Sequence, residues 1–199
     1  LRDKLREATR LRTRSDVPLG AFLSGGIDSS VVVAMLSEVS NEPINTYAIG
    51  FDIDRYDELE YARLVADEFG TNHTEYTVDT DTMLESVTGL VDHYGMPFGD
   101  SSALHTYYVA KRAAGVITVA LTGDAGDENF AGYSRYANYK AIALAGKLPS
   151  LVTNSGSKTI SALPSWVREN LSRGADAERI LRLAGEPQSE HYARLIRHY

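Results

Sequence analysis

The segment Phe22-Leu23-Ser24-Gly25-Gly26-Ile27-Asp28-Ser29-Ser30 constrains the fold of this chain more than any other. An apolar strand, reading from Val17 to Leu23, runs into two glycines and then into a helix, Asp28 to Val39, with an almost wholly apolar body (Val31, Val32, Val33, Met35, Leu36). A helix that is apolar all round belongs inside a fold, so strand and helix pack together across a very short turn. Glycines in that turn let backbone N–H groups point at a ligand, and the helix N-terminus adds partial positive charge. Together they form an anion cradle suited to phosphate. Ser24, Ser29 and Ser30 add hydroxyl donors. Asp28 is the odd member, because a carboxylate repels phosphate unless a cation stands between them. A bridging Mg2+ resolves the conflict; a plain helix cap is the bland alternative. No Gly-Lys-Ser/Thr follows, so the loop is not of the Walker type.

A second turn of the same kind is Leu121-Thr122-Gly123-Asp124-Ala125-Gly126-Asp127-Glu128, which follows the apolar run Val116 to Leu121. That run is uniform enough to read as a central strand of a parallel sheet. Between the two turns, strands at Ile44–Phe51 and His73–Val78 alternate with helices. One opens at Asp57, where Glu60 completes a capping box, and turns Leu59, Ala62, Ala66 and Phe69 inward before ending at Gly70. Another starts near Asp81 with Leu84, Val87, Leu90 and Val91 inward, and a third is capped by Asp100. A first short helix presents Leu1, Leu5, Ala8 and Leu11. This alternation over residues 1–145 predicts an α/β fold with a doubly wound parallel sheet. In the strand order 3-2-1-4-5, strands one and four are neighbours at the switch point where ligands bind. Both glycine turns then face one crevice, where Asp28 and Asp127 can share a cation and Asp124 can meet the reacting group.

After Lys147 the pattern changes. Pro149, Thr153–Ser157 and Pro164 read as a surface connection, followed by helical pieces at Ser165–Leu171, Asp176–Leu183 and Ser189–Tyr199. Residues 146–199 are expected to be the start of a helical subdomain.

The turn Ser24-Gly25-Gly26-Ile27-Asp28-Ser29-Ser30 resembles the pyrophosphate loop of the N-type ATP pyrophosphatases, and Arg14–Gly20 before it resembles the lead-in of glutamine-dependent asparagine synthetases. Ala48-Ile49-Gly50-Phe51, Asp57-Glu58 through Ala62, Pro97–Leu104 and Gly123–Glu128 through Ala131-Gly132-Tyr133 match the same family in order. The resemblance implies an adenine nucleotide alpha hydrolase-like core and ATP-dependent amidation of aspartate. The side-chain carboxylate is first adenylated with loss of pyrophosphate, and ammonia derived from glutamine then displaces AMP. It implies that Ser24, Gly25, Gly26, Asp28, Ser29 and Ser30 hold pyrophosphate and that Asp28 and Asp127 bind Mg2+. Leu23, Ile49 and Gly123, with Thr122 beside them, would line the adenosine site. Asp124 matches the acidic position linked to forming and breaking the adenylate. Related enzymes that close a β-lactam or lasso-peptide ring share these loops, and a nucleotide-binding module without turnover is the reading from another class.

The chain departs from the family at Thr122 (commonly Ser), Ala125 (Gly), Asn129 (Leu), Gly95-Met96 (acidic) and His105 (Pro). His105, a single histidine on a helix, is assigned no role. The resemblance further implies a core fragment, inactive alone, because the family carries a cysteine-initiated N-terminal glutaminase domain and a synthetase domain that continues well beyond Tyr199 to a phosphate-supporting lysine; it admits a homodimer. Composition agrees. The 199 residues carry a net charge of −7 and no cysteine. That disfavours nucleic-acid and anionic-membrane partners, excludes a thiol nucleophile, and fits a reducing, cytoplasmic setting. Six basic residues in 1–14 and thirteen acidic ones in 51–100 read as solvated helix faces.

Overall fold

The computed structural model describes residues 1–52, 58–96, 100, 102–147 and 174–196. Its elements are α1 (Arg2–Arg12), β1 (Leu19–Phe22), α2 (Ile27–Val39), β2 (Asn45–Phe51), α3 (Leu59–Phe69), β3 (Asn72–Val78), α4 (Thr80–Tyr94), α5 (Ser102–Ala113), β4 (Val119–Leu121), α6 (Gly126–Phe130), α7 (Ser134–Ala145), α8 (Gly174–Ala184) and α9 (Gln188–Ile196). They form two compact units, Leu1–Gly126 and Asp127–Tyr199.

The first unit is built on a parallel sheet of order β3-β2-β1-β4, the expected α/β arrangement for four strands. All three ladders are parallel, with Gly20 opposite Asn45 and Ala120, and Asn45 opposite Asn72. Among the described residues β4 pairs with β1 alone and Val119 is exposed, so the predicted central strand lies at an edge.

Two cores sandwich the sheet. On one face Ala21, Leu23 and Ala48 meet Val33 and Leu36 of α2 and Leu59, Ala62 and Ala66 of α3. On the other, Tyr47 packs with Val109, Ala113 and Ile117, supported by Phe22, Ile49 and Tyr76. Phe51 and Val78 continue this layer to Tyr108, whose hydroxyl donates to the Thr82 carbonyl at 2.6 Å and ties α5 to α4. Alternate residues of one strand thus feed opposite faces, as a sheet covered on both sides requires.

Helix ends follow local chemistry. Gly70 ends α3 in the left-handed region. Asp100 accepts from the Ser102 N–H at 2.9 Å, and this bond holds its carboxyl below the usual range. The helix expected from Asp81 begins instead at Thr80, because Asp79 accepts from the Thr82 N–H at 2.8 Å. Asp57, and with it the proposed capping box, lies outside the described residues. Several inward expectations fail where a helix is covered on one side only. Leu1, Leu11, Phe69, Val87 and Val91 are exposed, while Thr9 is the buried residue of α1. In the second unit Ile142 of α7 is fully buried with Leu183 and Ala184 of α8. Pro149, Thr153–Ser157, Pro164 and the helix expected at Ser165–Leu171 lie outside the described residues.

At the edge formed by β2 and β3, the fully buried Thr46 hydroxyl lies 2.7 Å from that of Thr71 and 2.9 Å from His73 Nδ1. Burial pushes the His73 imidazole below its ordinary value of 6.5, outweighing the upward pull of Glu75, which is itself paired with Arg63 at 2.8 Å. The folded state therefore favours neutral His73. As pH falls through the unfolded value near 6.5, the unfolded chain takes up the proton first and stability declines toward the lower folded pKa. Denaturant titrations at pH 7.5 and 5.0 should show this loss, and His73→Gln should make it smaller. An equal loss in the variant would assign the pH dependence to other groups.

Candidate functional site

A crevice of about 470 Å³ opens at the carboxyl ends of β1, β2 and β4. The register Ala21↔Leu121, carried two to three residues on, brings Leu23-Ser24 level with Gly123-Asp124. This is the switch point of the sheet, since the crossover from β1 leads to one side and β4 returns on the other.

The β1–α2 turn is held by its own serines. Ser24 Oγ accepts from the Gly26 N–H at 3.3 Å and lies 3.1 Å from Ser29 Oγ, which donates to the Gly26 carbonyl at 3.1 Å. Ser30 Oγ donates to the same carbonyl at 2.7 Å. Gly25 adopts φ +81°, and a side-chain carbon on it would stand 2.5 Å from Tyr61 Cβ and 2.6 Å from the Ala62 nitrogen. Glycine is needed there for conformation and for space, because α3 closes on the turn. Gly26 caps α2 with no side-chain hydrogen bond, so the first-turn N–H groups of α2 have no intrahelical acceptor and are available to an anion.

The β4–α6 turn rests directly on the start of α2. A side-chain carbon at Gly123 would sit 2.7 Å from the Ser29 nitrogen, and one at Gly126 would overlap the Asp28 carboxylate. The Gly126 N–H donates to the Gly123 carbonyl at 3.1 Å, and the Thr122 hydroxyl donates to Asp124 Oδ2 at 2.8 Å. Ala125 adopts φ +67°, a left-handed conformation in which a β-carbon is disfavoured. This gives a physical reason for the glycine common at that position.

Leu23, Ser24, Gly26, Asp28, Ser29, Ile49, Thr122, Gly123 and Asp124 all line this one crevice. Of the other expected site residues, Gly25 lies turned against α3 and Ser30 is directed back along α2. Asp127 opens the second unit. There its backbone carbonyl accepts from the Gly132 N–H at 3.0 Å, and the Tyr133 hydroxyl donates to Glu128 at 2.6 Å. That bond pushes Tyr133 up to about 12. Among the described residues no group of three or more His, Cys, Asp or Glu side chains could hold a metal ion. A Mg2+ at Asp28 would therefore complete its shell with phosphate oxygens and water, as Mg2+ commonly does.

Four described polar lining residues take no site role from the sequence: Tyr47, Glu58, His105 and Thr106. Glu58 stands at the head of α3 and within the matched segment Asp57-Glu58 through Ala62, the two signals that could have marked it. His105 lines the crevice from α5 with its ring edge-on to Phe51 at 4.4 Å, and helical periodicity alone cannot show what a helix faces.

Residues 1–198 match the family model described as asparagine synthase. A putative glutamine-hydrolysing asparagine synthetase of Methanocaldococcus jannaschii is 41% identical over 155 residues, covering 77% of this chain and 30% of the relative. Asparagine synthetase 1 of Bacillus subtilis is 30% identical over 168 residues, covering 84% and 26%. The chain thus spans under a third of the length of these curated relatives. An NH3-dependent NAD synthetase from Campylobacter jejuni aligns with a TM-score of 0.41 at 11% identity, over 94% of this chain and 95% of that one.

Two substitutions test this geometry through stability. Gly123→Ala should destabilise the chain by about 1–3 kcal/mol, because its neighbours are backbone atoms that cannot turn aside. Ala125→Gly should raise stability by up to about 1 kcal/mol by relieving the left-handed strain. Denaturant midpoints measure both, and a neutral Gly123→Ala would refute the close approach of the turns.

Proposed function

The chain belongs to the asparagine synthase family, and from that premise we propose that it carries the MgATP site of an asparagine synthetase. It activates the side-chain carboxylate of aspartate as an acyl adenylate, for amidation by ammonia derived from glutamine elsewhere in the whole protein. The observation that carries the proposal is the crevice itself, where two glycine turns on neighbouring parallel strands meet over a helix N-terminus with no side-chain cap.

The chemistry needs such a site because ammonia cannot expel oxide from a carboxylate. An oxygen of the acceptor carboxylate attacks the α-phosphorus of ATP, and the bond to pyrophosphate breaks. Ammonia then attacks the acyl carbon, a proton leaves the nitrogen, and AMP departs. The first-turn N–H groups of α2, together with Ser24, receive the departing pyrophosphate charge; negative charge that grows on a leaving group is stabilised best by donors already aimed at it. Asp28 would hold a Mg2+, whose charge would offset the repulsion between an acidic crevice and the phosphates. Leu23 and Ile49 offer apolar walls to the adenosine, beside Thr122 and Gly123. Asp124, its carboxylate oriented by the Thr122 hydroxyl, faces the reacting carboxyl or the incoming ammonia as a base or electrostatic partner.

Two variants of the whole protein separate these roles. Asp28→Asn should weaken MgATP binding and slow ATP–pyrophosphate exchange together. Asp124→Asn should slow exchange by ~10²–10⁴-fold while nucleotide affinity changes little. Wild-type exchange in Asp124→Asn would remove that residue from the mechanism, and an unchanged Mg2+ dependence in Asp28→Asn would remove the metal bridge.

A further inference from the structure

Several polar groups of the crevice already have assignments: Ser24 and Asp28 with the phosphates, Thr122 beside the adenosine, and Asp124 with the reacting end. The remaining lining is largely apolar, with Leu59 and Ala62 from one face of the sheet and Ile49, Phe51 and Val109 from the other, and adds the polar side chains Glu58, His105 and Thr106. A purine asks for this combination, since its two faces are apolar and its edge carries donors and acceptors that lose water on binding. Glu58 and Thr106 are exposed and keep their hydration, whereas His105 is half-buried and held edge-on to Phe51 at 4.4 Å. Tyr47, the other polar ring on this wall, is packed into the core with Val109 and Ala113. Among the described polar groups of this lining without an assignment, His105 is the one whose direction is set before a ligand arrives, and pre-organised groups discriminate best.

We propose that His105 is a specificity-determining residue of the nucleotide site, making a hydrogen bond to the edge of the base through its imidazole. The inference rests on the nucleotide reading of the crevice. It extends that reading to a residue that stands where the family commonly has proline, a side chain unable to make such a bond. Base discrimination in this chain is then set from α5 as well as from the strand ends.

The test is calorimetric titration of the chain, its His105→Ala and its His105→Phe variants with MgATP, MgITP and tripolyphosphate. Inosine exchanges the donor and acceptor at the six-position edge. His105→Phe retains a flat ring against Phe51 and covers the case in which His105→Ala does not fold. The wild-type chain should prefer ATP to ITP. Both variants should bind ATP about tenfold more weakly, the scale of one lost hydrogen bond, with the ATP-to-ITP ratio moving toward one and tripolyphosphate affinity unchanged. Wild-type affinity and ratio in His105→Phe would overturn the proposal, as would a wild-type chain without base preference or an equal loss for tripolyphosphate, which marks a packing role. A wild-type chain that binds tripolyphosphate but no nucleotide, or neither, would overturn the nucleotide reading and this inference with it.

Discussion

The turn at 123–126 can lie on the first turn of α2 only because residues 123 and 126 carry no side chain. Neighbouring parallel strands are roughly 4.8 Å apart, so the segments that leave β1 and β4 have almost no room to pass one another. Most of the site follows from this contact. Asp28 is pressed over Gly126, and Ala125 accepts a left-handed backbone so that the turn can close. A β-carbon at 123 would push the two strand ends apart and disperse the lining residues.

The same crowding decides the electrostatics. A chain of net charge −7 repels a polyanion at long range, and at physiological salt that field fades within about 8 Å. Attraction has to be local, and the structure provides it in the N-terminus of α2, which has no side-chain cap, and in the serine-braced turn before it. For the proposed substrate, Asp28 and Asp124 are useful only where a cation or a substrate proton offsets them.

The two glycine turns, the βα alternation and four of the strands were legible in the sequence because they depend on neighbours in the chain. A glycine pair after an apolar run, or Asp100 two residues before the Ser102 N–H, carries its meaning within a few residues. What failed depends on distant partners. Val87 and Val91 have the right spacing to face inward, yet both are exposed, and α4 meets Tyr108 of α5 through Thr82 and Met83 instead. Val119 reads as central from its apolar context, yet among the described residues β4 has β1 alone beside it. Glu58 and His105 reach the crevice through the placement of α3 and α5, which no local pattern encodes.

The sequence by itself determined the fold class, the family and the identity of the residues at the two turns, since periodicity, glycine placement and ordered motifs are properties of the chain read in one dimension. The tertiary structure alone decided that Leu23, Ile49, Thr122 and Asp124 share one crevice, that Gly25 is turned against α3 instead of lining it, and that His105 stands in its wall. The reason is geometric. Sequence spacing states which way a side chain leaves its own helix or strand, but the strand register and the faces covered by α3 and α5 state what it meets there.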